Sequence, residues 1–149
     1  MKKAIFASGC FWGPEDKLSK IKGITKTEVG DCGGNNSKPS FEEVCTGKTN
    51  HAEVVKIEFD EKVISYEDIV NFFFTMHDPT TFNRQGPDVG SQYRSEIFFY
   101  DDEQKKIAEK IKENLNEKLN KKVVTKISKE TNYCKAEEYH QKYLQKKGL

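Results

Sequence analysis

The residues best suited to chemistry begin at a cysteine followed by two aromatics, in Gly9-Cys10-Phe11-Trp12-Gly13-Pro14-Glu15. Lys3–Ala7 reads as a short strand before it, and a helix through Glu15, Leu18 and Ile21 follows. Cys10 is therefore expected at a strand-to-helix turn, where free backbone N–H groups and the helix dipole stabilise an anion. Such a position lowers a thiol pKa and makes a sulfur nucleophile at neutral pH. Phe11 and Trp12, the only tryptophan, can build an apolar wall beside that sulfur. A buried structural cysteine followed by two core aromatics fits the same spacing. Three more cysteines stand at 32, 45 and 134, and the histidines are His51, His77 and His140. Their spacing matches neither C-x₂-C, H-x₃₋₅-H nor H-E-x-x-H, so no bound metal is expected. The histidines are read instead as holding loops and helix ends by hydrogen bonds.

These side chains need a scaffold, and 149 residues suit one catalytic domain, 1–149. Lys26–Val29 and Glu53–Phe59 alternate as strands, the second with Val55, Ile57 and Phe59 on one face. Ser65-x-x-Asp68 opens a helix carrying Ile69, Val70, Phe73 and Met76. Glu96–Tyr100 is a further strand, and Asp101 or Asp102 caps the longest helix, with Ile107, Ile111, Leu115 and Leu119 at i, i+4 spacing. Val123–Ile127 gives a last strand, and Lys135–Lys147 a short helix. Between them, 30–40 and 78–92 read as long loops. The pattern predicts an α+β two-layer sandwich with a ferredoxin-like βαββαβ centre, an extra helix-strand pair and a C-terminal helix.

Composition narrows the partners. Lys and Arg number 25 against 24 Asp and Glu, a net charge of +1, so no strong field points to nucleic acid or an anionic membrane. No apolar run is long enough to span a bilayer, and Met1-Lys2-Lys3 leads straight into a strand. These features predict a cytoplasmic chain whose cysteines stay reduced.

Beyond the first segment, Gly33-Gly34-Asn35 with Pro39-Ser40-Phe41-Glu42-Glu43-Val44-Cys45 and His51-Ala52-Glu53 forms a second block. His77-Asp78-Pro79-Thr80 with Asn83-Arg84-Gln85-Gly86-x-Asp88-Val89-Gly90-x-Gln92-Tyr93-Arg94-Ser95 forms a third, and Ala136-Glu137-Glu138-Tyr139-His140-Gln141 a fourth. Together, in this order, the four blocks resemble the type A family of peptide methionine sulfoxide reductases, from residue 4 to about 143. The resemblance implies reduction of methionine-S-sulfoxide, free or protein-bound, to methionine. Cys10 would attack the sulfoxide sulfur and become a sulfenic acid. Glu53 would be the acid, its pKa raised by an apolar pocket. Tyr93 would donate to the sulfoxide oxygen and Asp88 would order the site, while Phe11 and Trp12 would enclose the substrate's methyl group.

Two positions depart from the family pattern. Phe41 stands where the family usually has a second substrate-binding tyrosine, so the ring is kept and one hydroxyl donor is lost. Asp31-Cys32 stands where tyrosine and a small residue are more common. The sulfenic acid must be resolved by a thiol. Cys45 is read as structural. Cys134, just before the fourth block, and Cys32, on a Gly-rich stretch, both remain candidates, as does direct reduction by an external thiol. The chain stops soon after the fourth block, so no extended tail with further cysteines is expected. The resemblance implies a thioredoxin-type dithiol as electron source, no bound cofactor, and a monomer. Two other readings use the same residues: a non-catalytic thiol- or metal-binding module, and a cysteine hydrolase built on Cys10 and His140.

Overall fold

The computed structural model describes residues 2–34, 50–120 and 122–147. Its regular elements, numbered over those residues, begin with β1 (Lys2–Ser8), α1 (Trp12–Ser19), β2 (Ile24–Cys32) and β3 (Ala52–Phe59). Then come α2 (Tyr66–Phe73), β4 (Arg84–Gln85), β5 (Asp88–Val89), β6 (Ser95–Phe99) and α3 (Asp102–Leu119). The last are β7 (Lys126–Lys129), β8 (Cys134–Lys135) and α4 (Tyr143–Lys146). A main sheet has the order β7-β6-β1-β3-β2-β8, and β4 and β5 form a separate hairpin.

The middle of that order, β6-β1-β3-β2, is wholly antiparallel and is the expected ferredoxin-like centre. The extra helix-strand pair is α3 with β7, which returns parallel to β6. Alternation decides the layers. Ala4 and Phe6 of β1, with Val55, Ile57 and Phe59 of β3, face a core closed by Leu18 of α1, Ile69, Val70 and Phe73 of α2, and Ala108 of α3. Ile5, Ala7, Cys32, Ala52, Val54 and Phe98 form a second cluster on the other face. Both expected caps form: the Ser65 hydroxyl accepts the Asp68 N–H at 3.1 Å, and Asp101 rather than Asp102 accepts the Gln104 N–H at 2.8 Å.

Four sequence boundaries need correction. The strand expected to end at Val29 continues to Cys32, so Asp31 and Cys32 are sheet residues and not loop. Gly30 permits this: a Cβ there would run into the Cys134 carbonyl oxygen and the Tyr133 ring, closing off the approach of β8. The strand expected over Val123–Ile127 lies over Lys126–Lys129, because Val123 and Val124 donate their N–H groups to Asn116 and to the Pro79 carbonyl. The stretch 78–92, read as loop, contains the β4–β5 hairpin and a 3₁₀ turn over Ser91–Tyr93. The tail expected as one helix is instead β8, a 3₁₀ turn over Glu138–His140, and the short α4. Gln141 explains the break, since its side chain bonds both the N–H and the carbonyl of Val29 at 2.9 Å and pins the tail to β2.

Candidate active site

Cys10 sits partly exposed in the turn between β1 and α1. Gly9 shapes that turn with a φ of +98°, a backbone conformation that L side chains rarely adopt. A Cβ at Gly9 would also come within 2.9 Å of the Gln85 side chain. Gln85 in turn fastens the β4–β5 hairpin by exchanging hydrogen bonds with the backbone of Asp78 at 3.0 and 2.6 Å. Gly9→Ala is therefore expected to strain the cysteine turn and displace the hairpin, costing about 1–2 kcal/mol for the positive φ alone. Thermal unfolding reads that loss, and substrate turnover should fall with it.

Glu53 lies beneath the same turn. It is 1% exposed, on the face of β3 that carries Val55, and its Oε1 accepts the Phe11 N–H at 3.4 Å. Its Oε2 has no hydrogen-bond partner among the described residues. Burial pushes the carboxyl up to about 8, the charge of Asp31 adds to the rise, the Phe11 amide opposes it, and Asp88 contributes a smaller upward push. A carboxyl group in that state is protonated at neutral pH and can donate. Asp88 belongs to β5, and Tyr93 ends the 3₁₀ turn packed against β3. The three expected site residues thus come from three elements: Asp88 acts on Glu53 by its charge, the turn that ends at Tyr93 packs on Glu53's strand, and Glu53 itself reaches the cysteine turn.

The aromatics divide the work. Phe11 is 1% exposed and belongs to the main core, so its ring can only floor a pocket. Trp12 is half-buried, donates its indole N–H to His140 Nδ1 at 3.2 Å and packs against Tyr143 in a tilted contact with ring centroids 4.0 Å apart. His140 is itself buried and lies 5.3 Å from the Phe11 ring. Burial holds its imidazole below the usual range, against the pull of Glu137. With Nδ1 accepting from Trp12, the His140 ring braces the indole and gives no support to a hydrolase dyad. His77 likewise bonds the Phe73 carbonyl and the Ser95 hydroxyl at 2.9 and 2.7 Å. Among the described residues, no group of three or more His, Cys, Asp or Glu side chains could hold a metal ion.

Comparison with known proteins places the chain in a family. A family model described as peptide methionine sulfoxide reductase matches residues 2–148. The chain belongs to the peptide methionine sulfoxide reductase family. It is 60% identical over 147 residues to the peptide methionine sulfoxide reductase MsrA of Pelagibacter ubique, covering 99% of this chain and all of that one. It is also similar to the crystal structure of Mxr1 from Saccharomyces cerevisiae in reduced form, with 42% identity, a TM-score of 0.94, and coverage of 99% of this chain and 86% of that one. A third match is Mxr1 in complex with Trx2, with 30% identity, a TM-score of 0.68, and coverage of 95% and 84%.

For this reductase, the two candidate resolving cysteines fall on opposite sides of the sheet. Cys134 is paired in register with Asp31, and Asp31 with Glu53, so the three lie in one row across β8, β2 and β3. Residues directly opposite across a ladder share a face. Cys134, partly exposed, is thus on the face of Glu53. Cys32 is fully buried on the other face, its thiol donating to the Thr131 carbonyl at 3.3 Å. Burial pushes that thiol up to about 12. Phe41 and Cys45 lie outside the described residues.

The sequence reading missed Asp31 and Glu15. Asp31 is 2% exposed, and its burial and the charge of Glu137 push it up to about 7. The signal was parity: with β2 extended to Cys32, Asp31 shares a face with the core residue Val29. Glu15 is buried too, accepting from the Thr27 hydroxyl at 2.9 Å and the Lys142 N–H at 2.7 Å, which ties the tail to α1.

Proposed function

We propose that the chain reduces methionine-S-sulfoxide, free or in proteins, with Cys10 as nucleophile and Glu53 as acid. The observation that carries this reading is the contact of the cysteine turn with a buried carboxyl group held above neutrality, through the Phe11 N–H. In the first half of the cycle the Cys10 thiolate attacks the sulfoxide sulfur while Glu53 protonates the departing oxygen. Methionine leaves, reduced by two electrons, and Cys10 is left as a sulfenic acid, oxidised by two. Tyr93 adds a donor to the oxygen, and Asp88 orders the polar side of the site. Trp12 supplies the accessible wall for the substrate's methyl group, with Phe11 beneath it.

In the second half, the Cys134 thiol attacks the Cys10 sulfenic acid, forming a disulfide and releasing water. Its place on the face of Glu53 supports this choice over Cys32, which is closed off on the other face. A disulfide needs its Cα atoms within about 7 Å, so the route requires β8 and the cysteine turn to come that close during turnover. Among the described residues β8 ends the sheet and pairs with β2 at Gly30 and Asp31, and a short end strand is the kind of element that opens locally. A thioredoxin-type dithiol then restores both thiols, and the yeast relative's complex with Trx2 supports such a partner.

Separate assays of the two halves test this route. Cys134→Ser is expected to release one methionine per chain in a burst without reductant, as the parent does, yet to cycle at least about tenfold more slowly with thioredoxin. Equal cycling of Cys134→Ser and parent would remove Cys134 from the route. Loss of cycling in Cys32→Ser alone would reassign the role.

A further inference from the structure

Burial is the larger cause that keeps Glu53 protonated, and the charge of Asp31 adds to it. Asp31 stands directly across from Glu53 in the β2–β3 ladder, on the same face of the sheet. Both carboxyl groups are almost fully buried, at 2% and 1% exposure. Asp31 Oδ1 and Glu53 Oε2 each lack a hydrogen-bond partner among the described residues. No lysine or arginine forms an ion pair with either group among those residues.

Two further carboxylates act on this row by their charge. From β5 comes Asp88, whose charge acts on Glu53. From the turn after β8 comes Glu137, whose charge acts on Asp31. Cys134 continues the row on β8, Tyr93 ends the 3₁₀ turn packed on β3, and Phe11, which bonds Glu53, follows Cys10 and has the buried His140 ring 5.3 Å away. His51, also buried, precedes β3 by one residue and Glu53 by two. A buried row with carboxylates on several sides and no paired cation opposes a second negative charge.

We propose that Asp31 is a positioning residue for the reaction: its carboxyl group, directly opposite Glu53, keeps the proton on Glu53 by making two negative charges on that row unfavourable. Asp31 never touches the sulfoxide. It acts through Glu53, so the inference rests on Glu53 being the acid of the proposed reaction. During turnover the Glu53 proton passes to the sulfoxide oxygen, leaving the pair one proton poorer, and the pair recovers that proton from solvent before the next attack. Both carboxyl groups are raised, Asp31 to about 7 and Glu53 to about 8, which favours keeping a proton on the pair near neutral pH.

The test compares Asp31→Asn, Asp31→Glu and the parent in two readouts. The first is the pH profile of kcat/KM for methionine-S-sulfoxide with a dithiol reductant. The second, independent of activity, is the carboxyl ¹³C shift of Glu53 followed through pH in protein labelled at glutamate side chains. In Asp31→Asn the Glu53 titration and the alkaline limb of the rate should both move down by about one pH unit, a tenfold loss of rate above the new limb. Asp31→Glu, which restores the charge, should return both toward the parent. An unmoved Glu53 titration in Asp31→Asn would overturn the proposal, even if the rate fell. A Glu53 titration that moves while the parent reduces neither sulfoxide epimer would uphold the carboxyl pair and overturn the reaction. Should Asp31→Asn fail to fold, Asp31→Glu still decides, since a titration shifted as far as loss of charge requires would contradict the electrostatic role.

Discussion

Cys10→Ser is expected to abolish methionine sulfoxide reduction, a fall of about 10⁴-fold or more that leaves only background. A serine hydroxyl at the same turn keeps the shape of the site but is neither anionic nor reducing, so it can neither attack the sulfoxide sulfur nor carry away its oxygen. Cys10 is only partly exposed and lies in the turn between β1 and α1, so the exchange of sulfur for oxygen should leave folding and substrate binding nearly unchanged. The measurement is turnover of each epimer beside a binding titration of the same variant. Retained S-epimer turnover would move the nucleophile elsewhere. Retained binding without turnover is the expected outcome.

Glu53→Gln is expected to lower kcat by about 10²–10⁴-fold, the usual contribution of a positioned general acid. Its signature lies in pH. In the parent the rate should fall as pH rises through about 8, where Glu53 loses its proton, and in Glu53→Gln that limb should vanish. The same residue should also set stability. Glu53 in the folded protein binds its proton up to about 8, against an ordinary value of 4.5, so between those values the native state holds more protons than the unfolded state. Unfolding free energy therefore declines with rising pH across that window, by several kcal/mol when complete, and is unaffected below it. Glu53→Gln removes the ionisable group and should be more stable than the parent at pH 8, with the gap closing toward pH 4.5. Urea unfolding at pH 4.5, 6 and 8 reads this directly. A variant less active yet more stable at alkaline pH is what a carboxyl group retained for chemistry at a cost to folding would give.

Much of this was legible in the chain because the relevant patterns repeat. Val55, Ile57 and Phe59 alternate across a long strand, and Ser65 and Asp101 cap helices with their own side chains, so the βαββαβ centre follows from local rules. The cysteine turn was legible for a similar reason, since a strand, a glycine and a helix start leave little choice for Cys10. β8 was not legible. Two residues carry no periodicity, and their position depends on Gly30, about a hundred residues earlier in the chain, leaving room for them. Asp31 was hidden by the same feature: Gly30 and Gly33 made the end of β2 look like loop, so its parity with Val29 went unread. The choice between Cys32 and Cys134 is likewise a question of sheet face, and a one-residue change of strand assignment reverses it.

The central claim, that Cys10 itself takes the oxygen from methionine-S-sulfoxide, is tested most directly by a single turnover without reductant. The reduced protein is mixed with an excess of each sulfoxide epimer, methionine is counted, and the state of each cysteine is mapped by mass spectrometry. The expected result is one methionine per chain from the S epimer, none from the R epimer, and Cys10 oxidised, in a disulfide with Cys134 or as the sulfenic acid in Cys134→Ser. Methionine formed with Cys10 still a free thiol, or formed equally by Cys10→Ser, would contradict it.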